Sequence, residues 1–233
     1  MPDKYKIAIV GSGPGGLSAA GHAAELEVSH ILLEATELPA NTIQKYQKGK
    51  HVMAEPSVLP LRSPVPFVAG KREAILSAWQ ESIQSLNINT RYQAEVIKIA
   101  GEKSNFTLTL KNREVIEAEH VVLGIGLQGN PRRIGAKGEE LGFVQYQLDD
   151  PDEYQNETII VIGAGDAAIE NAIALMRRNR VVIVNRREEF ARAKEGNLNA
   201  ITKAIEDQAL TCHFNASVAR LDVGSETPGI IFL

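Results

Sequence analysis

Ile7-Ala8-Ile9-Val10 runs straight into Gly11-Ser12-Gly13-Pro14-Gly15-Gly16. In the last third of the chain, Ile159-Ile160-Val161-Ile162 runs into Gly163-Ala164-Gly165-Asp166-Ala167-Ala168. Each stretch is a β-branched apolar run, a G-x-G-x-x-G/A turn and the start of a helix. Because no polar residue alternates through the apolar runs, they read as strands buried on both faces of a parallel sheet. The glycines allow a tight turn and a close approach of the backbone to a pyrophosphate, and the small last residue lets the helix lie against the strand. The helix start adds free N–H groups and a partial positive charge. Two such turns predict two dinucleotides on one chain. The usual reason to hold two is to pass electrons between them.

Outward from the first turn, residues 14–26 carry Leu17, Ala20, Ala23, Ala24 and Leu26 at helical spacing, and residues 30–34 form a second strand ending in Glu34. This completes a βαβ unit, the context that the turn requires. Glu34 follows the first glycine by about twenty residues, where a carboxylate accepts from ribose hydroxyls and repels a 2′-phosphate. Outward from the second turn, a helix is expected over about 166–178 and a strand over 181–184. The acid's place is held by Asn185, and Arg186, Arg187 and Arg192 follow. Guanidinium groups match phosphate bidentately, so this change predicts NADPH over NADH, with NADH still possible. Asp166, at the helix start, is expected either to cap the helix or to line the pyrophosphate through its backbone.

The intervening sequence sets the domain plan. Residues 37–70 are irregular and proline-rich, and a segment of that length without regular structure is expected to cover a site. Ile75, Leu76, Trp79, Ile83 and Leu86 mark an amphipathic helix over 71–86. Residues 87–123 read as β-structure that turns at Lys111-Asn112-Arg113-Glu114 and ends in Val121 to Gly126. A helix is expected over 197–210, and short strands close the chain. The expected fold is α/β: two Rossmann-like, three-layer, parallel-sheet dinucleotide-binding domains, the first with an inserted antiparallel β-meander. The boundaries expected are 1–127 for the first domain, 128–157 for a glycine-rich linker and 158–233 for the second domain.

Composition narrows the function. The 233 residues carry 25 Lys and Arg against 29 Asp and Glu, a net charge of −4, which does not point to nucleic acid or an anionic membrane. No apolar stretch approaches the ~18 residues of a membrane span, and the N-terminus has no signal-like apolar region. A cytoplasmic protein is expected. Cys212 is the single cysteine, so this chain has no C-x-x-C centre; its strand-like spacing suggests a core thiol. Metal-ligand spacing is absent. His51 is the weak candidate for a catalytic proton donor, since histidine titrates near neutrality. A surface or packing role competes. Lys45, Lys48 and Lys50 read either as contacts to FAD phosphates or an acidic electron-carrier partner, or as a solvated charge run. Glu170, one turn after Asp166, reads equally as a contact near the nicotinamide or a surface acid.

Taken together, the two turns resemble the two-dinucleotide-binding-domain flavoproteins, the group of the pyridine-nucleotide disulfide reductases, and within it the thioredoxin-reductase-like branch. Gly11, Ser12, Gly13, Pro14, Gly15 and Gly16 look like its FAD turn, and Glu34 like its ribose acid. Val121 to Gly126 with Gln128-Gly129-Asn130-Pro131 look like its Ala-Thr-Gly motif, altered to Gly-Ile-Gly. The resemblance brings Val96 and Gly126 into the cofactor set. It also assigns Gly163, Ala164, Gly165, Asp166, Ala167, Asn185, Arg186, Arg187 and Arg192 to an NADPH site. Thr42 to Phe67 is similar to the bacillithiol-disulfide-reductase subgroup. The implied activity is hydride transfer from NADPH to FAD, then electron transfer to an external acceptor: a protein carrier, a low-molecular-weight disulfide or a quinone. The alternatives are a flavin monooxygenase and a non-catalytic dinucleotide-binding or redox-sensing module. The family returns to its FAD domain through a C-terminal Gly-Asp turn that nothing here matches. That predicts a fragment with weakened FAD binding, whose apolar end, Ile230-Ile231-Phe232, favours a homodimer.

Overall fold

β1 (Asp3–Val10) lies at the centre of the first of two units in the computed structural model. The structure describes residues 3–54, 61–126, 133–223 and 228–232. The units are Met1–Asn130 and Pro131–Leu233. In the first, β1 is followed by α1 (Pro14–Glu25), β2 (His30–Leu33), the single turn α2 (Asn41–Gln44), β3 (His51–Val52) and β4 (Gly70–Lys71). Then come α3 (Arg72–Ser85), β5 (Thr90–Arg91), β6 (Val96–Glu102), β7 (Asn105–Leu110) and β8 (Val115–Leu123). The sheet order is β5-β2-β1-β8-β7-β6. β5, β2, β1 and β8 run parallel, and β7 and β6 fold back antiparallel from β8.

β1 uses its two faces differently. Ile9, with Leu32 of β2, packs on Leu17 and Ala20 of α1 and on Trp79 and Ile83 of α3. Ala8, with Ile31 and Leu33, packs on Leu108 and Leu110 of β7 and on Ile116 and Ala118 of β8. A strand covered on both faces needs apolar residues without alternation, which explains the run at 7–10. The expected meander is therefore the third layer, joined to the parallel sheet through β8. Each fully buried Leu or Ile contributes roughly 2 kcal/mol.

The proline-rich stretch is less irregular than its composition suggests. α2 lies in it, β3 pairs with β4, and Trp79 Nε1 donates to Pro66 O at 2.8 Å while its ring stacks on Phe67. Residues 55–60 lie outside the described part.

The second unit holds β9 (Thr158–Ile162), α4 (Asp166–Leu175), β10 (Arg180–Val184), α5 (Glu195–Glu206), β11 (Thr211–His213), β12 (Val218–Val223) and β13 (Pro228–Phe232). β11-β10-β9 is parallel and β12-β13 is an antiparallel pair. Ile169, Ala172 and Leu175 of α4, Val181 and Ile183 of β10, and Ile201 and Ala204 of α5 form its core. α4 ends earlier than expected. Asn179 Nδ2 donates to Leu175 O at 3.0 Å and to Tyr154 O at 2.9 Å, which ties the chain back. α5 ends before Gln208, whose φ of 57° is left-handed.

Residues 133–157, expected as most of a linker, pack into this second unit. Leu148 and Tyr154 lie against its core, and Asp150 accepts from Asp152 N at 3.0 Å to start a single 3-10 turn. Gln128-Gly129-Asn130-Pro131 and the side chains of Ile230, Ile231 and Phe232, on which the altered Ala-Thr-Gly motif and the apolar end rest, lie outside the described residues.

Candidate dinucleotide sites

Three glycines close the first turn. Gly11 has φ +94°, and a Cβ there would stand 2.5 Å from Gly124 O. A Cβ on Gly16 would stand 1.8 Å from Gly11 O, and one on Gly124 would stand 3.0 Å from Gly16 Cα. Strand, turn and helix thus meet backbone to backbone, pinned by Gly11 N donating to Leu33 O at 2.8 Å and Gly124 N to Val10 O at 2.7 Å. Gly13 is the N-cap of α1 and offers no side-chain cap, with Pro14 at the helix start. A Cβ on Gly15 would meet nothing within 4 Å outside its own helix. The first-turn N–H groups of α1 have no side-chain cap, the arrangement that receives an anion.

Glu34 follows β2 at this edge and is 6% exposed. Its Oε2 accepts from Ser12 N at 3.1 Å and from the Ser12 hydroxyl. Its Oε1 accepts from Thr36 N at 3.0 Å and Thr36 Oγ1 at 2.9 Å. An ionised carboxylate has about four acceptor positions, so these donors fill them. The sequence assigns this acid to ribose hydroxyls; the structure has it organising its own turn. One donor is exchangeable, because the single hydrogen of Thr36 Oγ1 can serve Leu38 O at 3.0 Å instead. Ser12 also accepts from Ala40 N at 3.0 Å and so holds Ala40, at φ 58°, against the turn.

Tyr92, which sequence reasoning passed over, has a buried hydroxyl with no hydrogen-bond partner among the described residues. Its pKa is raised, first by burial and then by the negative charge of Glu34. A buried orphan donor that feels the Glu34 charge fits a site made for a polar ligand. Val96 begins β6, half-buried, opposite Leu110. Gly126 has φ +64° with open space around it. Leu123 and Ile125, 62% and 66% exposed, flank Gly124 at the same sheet edge. His51 is exposed on β3, opposite Lys71.

In the second unit, Gly163 has φ +134° and a Cβ there would lie 3.4 Å from Ala168 Cβ, an ordinary contact. Gly165 is the N-cap of α4, again without a side-chain cap, and Ala167 is exposed on its first turn. Asp166 does not cap its own helix. Its Oδ1 accepts from Lys194 N at 2.9 Å and from Asn197 Nδ2 at 2.8 Å, which joins α4 to the start of α5; Asn197 also donates to Glu170 Oε1 at 3.1 Å. Asn185 is 2% exposed. It shapes the loop after β10: Oδ1 accepts from Arg187 N at 3.0 Å and Nδ2 donates to Glu189 O at 2.8 Å. Arg186, Arg187 and Arg192 therefore line one cavity of about 410 Å³ with Gly163, Ala164 and Gly165. Arg133 lines it as well, from a segment that the motif search had passed over. Cys212, half-buried in β11, has its thiol pushed up to about 11 by burial.

A sequence profile of the pyridine nucleotide-disulphide oxidoreductases matches residues 8–228. The chain belongs to that family. Ferredoxin–NADP reductase of Ignicoccus hospitalis is 28% identical over 184 residues, which are 78% of this chain and 56% of that protein. Ferredoxin–NADP reductase of Picrophilus torridus is 29% identical over 98% of this chain and 66% of its own length. The chain thus spans 56–66% of these relatives. Bacillithiol disulfide reductase of Staphylococcus aureus has the same fold, with a TM-score of 0.85, 20% identity, and cover of 98% of this chain and 74% of that one. Within the family, the α/β architecture with two glycine turns is the shared scaffold, and the loop after β10 is where this chain's arginines stand.

Proposed function

We propose that the chain is a flavin-dependent NADPH oxidoreductase that delivers electrons to an external acceptor. FAD is assigned to the first unit and NADPH to the second. The observation that carries this reading is the contrast between the two sites: one turn backed by a buried acid, the other opening on arginines. When bound, FAD supplies a ring that takes a hydride and releases electrons singly or in pairs. The chain's own residues bind and orient. Gly13 and Gly165 leave the N-terminal N–H groups of α1 and α4 free for pyrophosphates. Asn185 sets Arg186 and Arg187 for a 2′-phosphate. An external acceptor is favoured because Cys212 is the chain's single cysteine and its thiol, near pKa 11, is a poor nucleophile at neutral pH. The names of the relatives favour a ferredoxin-like protein as that acceptor.

The visible spectrum of the purified chain, recorded before and after anaerobic NADPH, tests this. A flavin band that bleaches with NADPH is expected. A colourless protein that FAD cannot reconstitute would overturn the reading and favour a binding module. Sustained NADPH oxidation with ferricyanide separates an enzyme from a sensor. Arg186→Ala is expected to raise the KM for NADPH about tenfold and leave that for NADH unchanged; equal preference for both cofactors in the wild type would remove NADPH from the proposal.

A further inference from the structure

The loop after β10 is not the sole source of guanidinium groups at the second site. Arg133 lines the same cavity as Arg186, Arg187 and Arg192, and Glu189 is the single acid among the lining residues. None of these four arginines has a carboxylate within 4.0 Å among the ion pairs of the described residues. The guanidinium of Arg133 lies 5.7 Å from the centre of the Tyr146 ring, a weak contact that leaves its charge unneutralised.

The backbone behind Arg133 is anchored. Ile134 N donates to Glu139 Oε1 at 2.7 Å and Gly135 N to Glu139 Oε2 at 2.9 Å, so one carboxylate, 8% exposed, clamps the two amides that follow Arg133. Leu221 N donates to Lys137 O at 2.8 Å. Gly138 lies so close to β12 that a Cβ would stand 2.2 Å from Leu221 O. Four exposed guanidinium groups around one cavity, with no carboxylate paired to them among the described residues, give it a positive potential that favours an anion.

We propose that Arg133 is a further 2′-phosphate ligand of the second site, held in place by Glu139, so that nucleotide selectivity is set by two separate segments of the chain. The inference rests on the NADPH assignment above. A bidentate guanidinium contact to a dianionic phosphate accounts for roughly tenfold or more in affinity.

Calorimetric titration of the full chain with adenosine 2′,5′-bisphosphate and with 5′-AMP tests it without reference to turnover. The wild type is expected to bind the bisphosphate more tightly. Arg133→Ala should weaken the bisphosphate about tenfold and leave 5′-AMP unchanged. Arg133→Lys should fall between, since lysine keeps the charge but not the fork. Glu139→Gln should lose part of the same preference without equal loss of 5′-AMP binding, which a purely structural role would cause. If Arg133→Ala changes neither affinity while Arg186→Ala loses the bisphosphate, Arg133 has no such role and the NADPH assignment stands. Loss of both nucleotides alike in Arg133→Ala, with Arg133→Lys behaving the same way, also overturns the phosphate contact. A wild type that binds the two nucleotides equally well removes the NADPH assignment itself.

Discussion

Glu34 ties the first glycine turn to the segment after β2 through one side chain. Its four donors come from Ser12 and Thr36, and two of them are backbone amides, that of Ser12 in a buried bond and that of Thr36 in a part-buried one. Glu34→Ala takes the carboxylate away from both and leaves the Ser12 amide buried without it. We expect it to lower stability by about 2 kcal/mol and FAD affinity at least tenfold; urea unfolding and fluorescence titration measure the two. Thr36→Val is expected to leave FAD affinity within about twofold, because the wild-type hydroxyl already has Leu38 O as an alternative. A tenfold loss in that variant would mean that Thr36 is not the donor that yields. Glu34's position was legible from its spacing after Gly11. Its saturation by Ser12 and Thr36 was not, since it depends on side-chain directions after β2 that no spacing rule encodes. Arg133 escaped for a similar reason: it lies outside both glycine motifs, on a segment whose next two amides are held by Glu139.

Among elements, the joint between α4 and α5 holds the arginine loop at its far end. Asp166 accepts from the amide of Lys194, the N-cap of α5, and from Asn197. Asp166→Ala should therefore weaken bisphosphate binding several-fold and cost about 1 kcal/mol, whereas Asp166→Asn, which keeps an acceptor oxygen, should cost less. In the first unit, Glu73 in the first turn of α3 accepts from Gly49 N at 3.0 Å. That hydrogen bond is the main cause holding its carboxyl below the ordinary 4.5. A group with a lowered pKa stabilises the fold above 4.5, and that contribution is lost as acid protonates it. The protection of the Gly49 amide, relative to its intrinsic exchange at each pH, should fall below pH 4.5 in the wild type, and that acid sensitivity should vanish in Glu73→Gln. The strands and long helices were readable from apolar pattern alone. The short pieces at Asn41–Gln44 and His51–Val52 were not, because their register is set by contacts with α3, Trp79 among them.

For the whole molecule, each unit has its own core, so the first responds to Leu32→Ala and the second to Ile201→Ala, both residues fully buried. Each change should cost roughly 2–4 kcal/mol, with faster hydrogen exchange confined to its own unit. Alkali acts on both. The Cys212 thiol, at about 11 when folded against an ordinary 9.0, stays protonated in the fold where the unfolded chain would lose its proton, and Tyr92 behaves likewise above its ordinary 10.0. Stability should thus decline as pH rises past 9, and Cys212→Ala should remove the first part of that decline. The fold was readable because each glycine turn announces a strand before it and a helix after it. The two turns are nevertheless built to different tolerances. A methyl group at position 16 has nowhere to go beside Gly11 O, while position 168 already carries one and sits at an ordinary distance from position 163. In a saturation-mutagenesis library selected for folded protein, every substitution at codon 16 should be depleted, while Ala168→Gly and Ala168→Ser survive. The chain's two look-alike motifs would then drift at unequal rates, and the second is the one left free to diversify.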